Sequence, residues 1–123
     1  MTSATETRRI VRAFHDARNF GDFETAGTHL APAFTFHSPL LRYEDPAVYL
    51  ASHAGFLAVV TGLDMISQLY GEGEATILYD LHTATPVGTQ RTAEHFRLVD
   101  GRITEILLIF DASDWRPLFA GSG

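Results

Sequence analysis

The chain has 123 residues, of which 46% are hydrophobic and 20% charged, enough for one globular domain with a core and one pocket. Fifteen acidic against nine basic side chains give a formal net charge of −6, so neither nucleic acid nor an anionic membrane is an expected partner. The absence of cysteine excludes disulfides and thiolate chemistry, and because all nine bases are arginine, lysine chemistry is excluded as well.

The first half of the chain has helical patterns. Apolar residues recur at helical spacing over Thr5–Asn19, which predicts an amphipathic helix. A second, shorter helix is predicted from the cap at Asp22 to Leu30, and a third from Asp45-Pro46 to about Thr61. Between the second and third helices, Phe34–Ser38 alternates with a period of two and predicts a strand.

The second half of the chain is predicted to be β structure. Four segments rich in strand-forming residues are separated by short turn signals: Leu63–Tyr70, Ala75–Thr85, Thr89–Val99 and Ile103–Phe110. Strands joined this closely must form antiparallel hairpins. The sequence therefore predicts one α+β domain over residues 1–123, with three N-terminal helices on one face of a strongly curved antiparallel sheet.

The longest unbroken apolar run, Ile106–Phe110, is far shorter than the ~20 residues that cross a bilayer. The first residues, Met1–Arg9, are polar. We therefore expect a cytoplasmic protein without a membrane partner.

Two stretches of the sequence resemble a known superfamily. Residues 94–103, followed by apolar residues to Phe110-Asp111, resemble the last two strands of the nuclear transport factor 2-like superfamily. Phe14, the Gly21-Asp22 turn and Leu30-Ala31-Pro32 are similar to its opening helices. This superfamily includes SnoaL-like polyketide cyclases, steroid delta-isomerases and limonene epoxide hydrolases. The resemblance implies a cone-shaped sheet wrapped by three helices around an apolar pocket.

The resemblance does not extend to the best-known catalytic patterns of the superfamily. Glu94 stands where steroid isomerases carry an inward aspartic acid, but Phe14 and Ser38 stand where they carry a tyrosine and an aspartate base. Thr92 and Leu108 stand where epoxide hydrolases carry an arginine and a second acid. Neither of those two mechanisms is therefore expected.

The turn at residues 85–88 decides which polar side chains share the pocket with Glu94. A three-residue turn with Gly88 in the left-handed region would place Thr85 opposite Thr89 and Asp80 opposite Glu94. One face would then carry Leu78, Asp80, His82, Thr92, Glu94 and Phe96. By the resemblance, that face is the pocket interior.

An alternative register remains open. A shift by one residue would place Tyr79 opposite Glu94 and turn Asp80 and His82 to the outer face of the sheet. A further interpretation is that Glu94, Asp80 and His82 form a buried network that only holds the strands together.

The last hairpin has a similar ambiguity. Asp100-Gly101 suits either a two-residue turn, which would point Asp111 inward, or the end of a three-residue turn. In the second case the inward residues are Ile106, Leu108 and Phe110. Asp111 also suits a structural role as the cap of the turn that follows it.

The candidate site has Glu94 at its centre. Two facing carboxylates in an apolar cavity cannot both ionise comfortably, so we expect a raised pKa for Glu94, with Asp80 and His82 as base or orienting groups. His15 and His53 are not expected in the site. The expected ligand contacts are Phe14, Phe36, Ser38, Tyr43, Thr92, Phe96, Leu108 and Phe110.

The sequence thus predicts cofactor-free acid–base chemistry, such as isomerisation, cyclisation or dehydration, on a hydrophobic carbonyl-containing small molecule. The alternative is a ligand-binding or dimeric assembly domain without catalysis. The histidine spacing predicts no metal site. A homodimer is expected through the outer face of the sheet, because the last strand is apolar on both sides, with Ile103, Leu107 and Ile109 outward.

Overall fold

The computed structural model describes residues 2–120, with only the backbone described at 119 and 120. Its helices are α1 (Ala4–Asn19), α2 (Phe23–Thr28), α3 (Pro46–Leu57) and α4 (Arg116–Ala120). The three N-terminal helices are as predicted, although α2 and α3 end earlier than their apolar patterns indicated.

Side-chain caps explain where α2 and α3 begin. Asp22 accepts a hydrogen bond from the backbone N–H of Thr25 at 3.2 Å, which caps α2. Asp45 accepts from the backbone N–H groups of Ala47 and Val48, which caps α3. Each aspartate thereby satisfies N–H groups that have no partner inside the helix.

Six strands form one curved, unclosed sheet in the order β2-β1-β6-β5-β4-β3. They are β1 (Leu30–His37), β2 (Arg42–Tyr43), β3 (Val60–Gly71), β4 (Glu74–Thr83), β5 (Thr89–Val99) and β6 (Arg102–Phe110). The α+β class is confirmed, but β1 runs parallel to β6, so the sheet is mixed and not wholly antiparallel.

The first strand is longer than the sequence predicted, because it begins at Leu30 and includes Pro32. Proline cannot donate to a strand ladder and is tolerated where one edge is unpaired. Here β2 pairs with β1 only at Phe36 and His37, so β1 has a free edge at Pro32.

The β4–β5 hairpin corrects the register expected from the sequence. Gly88 does adopt a φ of 70° and donates to the carbonyl of Thr85, so the turn itself forms. However, the hydroxyl of Thr83 donates to the carbonyl of Gly88, and the strands separate at Thr83 instead of Thr85. Asp80 therefore lies opposite Arg91 and not opposite Glu94. The expected pairing of the two carboxylates is wrong.

The β5–β6 hairpin combines both readings of its turn. Asp100 and Gly101, with φ values of 51° and 77°, form a two-residue turn of the kind that favours Asp-Gly. A bulge follows, because Leu98 pairs with Ile103 whereas Arg97 pairs with Glu105, leaving one extra residue on β6.

The bulge decides which face each residue of β6 occupies. Opposite the buried side chains of β5 it places Ile106 across from Phe96, and Leu108 across from Glu94. Ile103 is fully buried, so its expected outward position is wrong. Asp111 is exposed and accepts from the backbone N–H of Ser113, which gives it the structural role.

The core lies between the helices and the concave face of the sheet. Phe14 of α1 and Phe96 of β5 are fully buried, and their rings meet edge to face at 6.3 Å. Val11, Phe34 and Ile106 are also fully buried in this cluster. The packing fixes α1 across the sheet, so the last turn of α1 reaches a cavity beside the core.

Candidate functional site

A cavity of about 770 Å³ opens beside the core, lined by α1, α3 and residues of all six strands. Its wall is mainly aromatic and aliphatic; the aromatic members include Phe36, Tyr43, Tyr49, Phe56, Phe110 and Trp115. A volume and lining of this kind are typical of pockets that bind drug-sized hydrophobic molecules.

The structure brings most of the expected ligand contacts to this cavity. The lining includes Phe36, Ser38, Tyr43, Thr92, Leu108 and Phe110. Phe14 and Phe96 do not line it, because they are fully buried in the core beneath. That these residues contact a ligand remains a prediction.

Glu94 lies at the base of the cavity and is paired with Arg18, from the last turn of α1. The guanidinium donates to both carboxylate oxygens, at 2.7 Å from Nη1 and 2.6 Å from Nη2. Arg18 is 3% exposed and Glu94 is 1% exposed. This is a bidentate ion pair almost fully withdrawn from water.

Two tyrosines complete the cluster. The hydroxyl of Tyr79, on β4, donates to Glu94 Oε1 at 2.7 Å. The hydroxyl of Tyr49, on α3, accepts from Arg18 Nη1 at 2.9 Å. The ring of Phe14 lies 5.2 Å from the guanidinium carbon of Arg18 and supports it from the core. Four secondary-structure elements thus hold one charged pair in place.

The ion pair reverses the expectation of a raised pKa for Glu94. Burial raises the pKa of this carboxyl, but the Arg18 charge and the hydrogen bonds from Arg18 and Tyr79 outweigh burial and hold the pKa well below its usual range. Glu94 is therefore a carboxylate at neutral pH, and in this state it has no proton to donate.

Two histidines that were not expected in the site belong to it. His15 is 7% exposed, lines the cavity and meets the ring of Tyr79 edge to face. His53 lines the cavity from α3 among the rings of Phe23, Tyr49 and Phe56. Burial, reinforced by the Arg18 charge, lowers the pKa of His15 to about 4 and that of His53 to about 3. Both imidazoles are neutral at pH 7.

Asp80 and His82 lie outside the cavity, on the outer face of the sheet, because of the β4–β5 register. Asp80 accepts two hydrogen bonds from Arg91, at 2.9 and 3.0 Å. His82 contacts the carboxylate of Asp64 at 2.8 Å and the hydroxyl of Thr89 at 2.9 Å. The expectation that Asp80 and His82 share the pocket with Glu94 is wrong.

Sequence reasoning missed Arg18, although a signal for it exists. Arg18 lies four residues after Phe14 and seven after Val11, so it continues the buried stripe of α1. An arginine on an apolar stripe requires a buried acid as partner, and Glu94 was the available candidate. Tyr49 and Tyr79 carry no comparable signal in the sequence.

Residues 2–120 lack two other kinds of feature. No described helix is long and apolar enough to cross a membrane. Within the same residues, no three side chains of histidine, aspartate or glutamate form a group that could hold a metal ion.

Comparison with protein families gives one match: a family model described as the SnoaL-like domain matches residues 11–106. No curated protein matches the chain.

Solved structures match nearly the whole chain. A protein from Kribbella flavida is 29% identical, with a TM-score of 0.80 and 93% of both chains covered. An NTF2-like protein of unknown function from Cytophaga hutchinsonii is 24% identical, with a TM-score of 0.74, covering 92% of this chain and 94% of its own. A LEH-like epoxide hydrolase from M. tuberculosis is 21% identical, with a TM-score of 0.73, covering 96% and 92%. At these identities the last two show the fold alone.

Proposed function

The chain belongs to the SnoaL-like domain family, with an NTF2-like fold, and from this premise we propose that it is a small-molecule enzyme. Its substrate would be a hydrophobic molecule carrying a carbonyl group, on which it moves a proton without a cofactor, in an isomerisation, cyclisation or dehydration. The observation that carries the proposal is the apolar cavity of about 770 Å³ with one buried cluster of polar groups at its base.

The cavity wall supports a hydrophobic substrate. Aromatic rings from α3, β1, β2 and β6 surround the space, which favours a flat apolar molecule over a sugar or a nucleotide. At the base of the cavity, Arg18 and Glu94 neutralise one another, and the other charged side chain in the described lining, Asp16, is exposed to solvent. An uncharged substrate would therefore meet no unpaired charge at the base.

The roles of the polar residues follow from their protonation. Glu94 is ionised and anchors Arg18, so it is not the acid that the sequence indicated. His15 and His53 are neutral, and a neutral imidazole can donate one hydrogen bond and accept another. An imidazole with a lowered pKa is a weak base but can polarise a carbonyl without itself carrying charge. We assign the proton-handling role to these two histidines.

The proposal can be tested with 2-tetralone, an uncharged bicyclic ketone with exchangeable protons beside its carbonyl. In D2O the protein should accelerate replacement of those protons by deuterium above the buffer rate, which proton NMR measures directly. His53→Phe should lower the accelerated rate by about 10²-fold or more, the range expected for a group that handles a proton.

The matched control is His82→Phe, the same change on the outer face of the sheet, which should keep the wild-type rate. Equal losses in the two variants would argue against a role for the cavity. No acceleration by the wild-type protein would reject the enzyme proposal for this class of ketone.

A second candidate is a ligand-binding domain without catalysis. It is favoured because both carboxylate oxygens of Glu94 already accept hydrogen bonds from Arg18 and Tyr79. All the charge at the base of the cavity is internally compensated, as expected of a scaffold that shapes a pocket. Saturable binding of 2-tetralone without proton exchange would support this candidate.

A further inference from the structure

Most polar side chains around the cavity direct their hydrogen bonds to other protein groups. Tyr79 donates to Glu94, Tyr43 donates to Ser52 at 2.7 Å, and the indole of Trp115 donates to Gln90 at 2.9 Å. Polar groups committed in this way are not free to orient a ligand.

Tyr49 differs from these residues. Its hydroxyl oxygen accepts from Arg18, but within residues 2–120 its own O–H has no hydrogen-bond acceptor. Tyr49 is only 3% exposed, and buried tyrosine hydroxyls normally find a partner. A free donor on a cavity-lining residue is what a bound ligand would satisfy.

A second uncommitted group lies one helical turn further along α3. Within residues 2–120, Nε2 of His53 is buried without a hydrogen-bond partner. The rings of Tyr49 and His53 have centroids 6.3 Å apart, as expected for positions i and i+4 of a helix. Two polar groups with unused hydrogen-bonding capacity therefore lie on one face of α3, and within residues 2–120 the other buried side-chain atom without a partner is Nε of Arg18, which is already paired with Glu94 through its two Nη atoms.

The contact with Arg18 makes Tyr49 a stronger donor. A hydroxyl that accepts a hydrogen bond from a cation is polarised, so its own proton is donated more strongly. Burial nevertheless raises the pKa of Tyr49 more than the Arg18 charge lowers it, so the phenol keeps its proton at neutral pH.

We infer that the O–H of Tyr49 donates a hydrogen bond to the carbonyl oxygen of an uncharged ketone that carries an aromatic ring and binds in the cavity. The inference rests on the proposed function and names the group that orients its substrate. An uncharged acceptor suits the position, because the charge of Arg18 is already matched by Glu94. A ligand that lacks the carbonyl oxygen would leave the O–H unsatisfied.

The first test uses the wild-type protein and 2-tetralone labelled with ¹³C at the carbonyl. Infrared difference spectroscopy measures the C=O stretching frequency of the bound ketone, which falls when the oxygen accepts a hydrogen bond. We expect a frequency below that of the ketone in hexane. A bound frequency equal to that in hexane would overturn the inference without any variant.

The second test compares two tyrosine variants. Tyr49→Phe should raise the bound C=O frequency towards the hexane value and weaken 2-tetralone binding by about tenfold, the effect of one lost hydrogen bond. It should leave binding of tetralin, the same molecule without the carbonyl, unchanged. The matched control is Tyr70→Phe, which removes a hydroxyl outside the cavity that donates to Gln68 at 2.8 Å, and it should change neither the frequency nor the tetralone-to-tetralin affinity ratio.

The possible results separate the inference from the proposed function. If 2-tetralone binds but Tyr49→Phe, shown to be folded by circular dichroism, changes neither frequency nor affinity, the inference is wrong and the proposed function stands. If neither 2-tetralone nor tetralin binds the wild-type protein, both are wrong for this ligand class. An equal loss of affinity for both ligands in Tyr49→Phe would indicate a packing role and would also overturn the inference.

Discussion

Each face of the sheet carries a carboxylate that accepts two hydrogen bonds from one arginine, but the two pairs lie in opposite surroundings. On the concave face, Arg18 and Glu94 are 3% and 1% exposed. On the outer face, the side chain of Arg91 is 69% exposed in its pair with Asp80. Both pairs are bidentate, through Nη1 and Nη2 in Arg18 and through Nε and Nη2 in Arg91, and the larger difference between them is burial.

Burial changes both the energy and the chemistry of an ion pair. An exposed pair is screened by water and salt and contributes little to stability. A buried pair is not screened, and each partner depends on the other to offset its desolvation. Arg18 and Glu94 thus form a fixed element of the cavity, whereas Asp80 and Arg91 belong to a solvated surface.

The largest effect is expected from breaking the buried pair. Glu94→Gln leaves the Arg18 cation buried without its counter-charge, which should lower the free energy of unfolding by about 3–5 kcal/mol. Urea denaturation measures the loss. The double variant Arg18→Met/Glu94→Met removes both charges and should recover most of it. A single variant as stable as the wild type would contradict the buried geometry.

The outer face of the sheet also carries a row of apolar side chains that, unlike those on the concave face, no helix within residues 2–120 covers. Leu78, Ala93 and Ile109 lie side by side on β4, β5 and β6, and Ile109 is 59% exposed. We propose that a second copy of the chain covers this row in a homodimer, because an apolar sheet face is seldom left to water.

Ile109→Arg should weaken that dimer by about 100-fold or more, because it places an unpaired charge in the interface. Sedimentation velocity measures the change. Phe20→Arg, which alters a residue 87% exposed at the end of α1, is the matched control and should leave the dimer intact. A wild-type monomer at micromolar concentration would rule the dimer out.

How far the sequence could predict the structure depends on the range of the interaction involved. The caps at Asp22 and Asp45 follow from contacts within a few residues and were predicted, and the two-residue turn at Asp100-Gly101 is one of the two turns that the sequence left open. The β4–β5 register depends on the hydroxyl of Thr83, which donates across the loop to Gly88. Turn propensities do not encode that hydrogen bond, so the sequence left both faces open for Asp80 and His82 and could not select the outer one.

The candidate site shows the same limit at longer range. The inward position of Glu94 was predicted, but its pKa depends on Arg18, which is 76 residues away in the chain. Arginine on a helix is usually solvated, so only its position on the buried stripe of α1 distinguished it. The free hydroxyl of Tyr49 depends on the packing of α3 against this pair, which only the structure provides.

The pH dependence of the free energy of unfolding tests whether the two cavity histidines, His15 and His53, are buried and neutral. The pKa of His15 falls from 6.5 to about 4 on folding and that of His53 to about 3, so between these values the unfolded chain binds protons that the folded chain does not. Stability should therefore be full above pH 6.5 and fall as the pH is lowered towards 4. At pH 5 these two histidines should together contribute an uptake of about two protons on unfolding, a slope of about 2.7 kcal/mol per pH unit.

Each cavity histidine should account for about half of that slope. His53→Phe and His15→Phe should each reduce the slope near pH 5 by about 1.4 kcal/mol per pH unit, and the double variant should abolish most of it. Urea denaturation at a series of pH values gives the slopes. A wild-type stability that is flat between pH 7 and 5 would mean that these imidazoles are hydrated in the folded protein.

The smallest effect is expected from the exposed pair, and it completes the comparison with the buried one. In Arg91→Gln, water and salt ions replace the guanidinium beside Asp80, because the side chain of Arg91 already lies mostly in solvent. The melting temperature of the variant should therefore equal that of the wild type within experimental error. The two melting temperatures should also agree in 0.5 M NaCl, because salt screens the little attraction that remains in the wild-type pair. Differential scanning calorimetry of both proteins at low and high salt measures this. A loss as large as that of Glu94→Gln would show that geometry, and not burial, sets the strength of these two ion pairs, which would undo the contrast between the faces of the sheet.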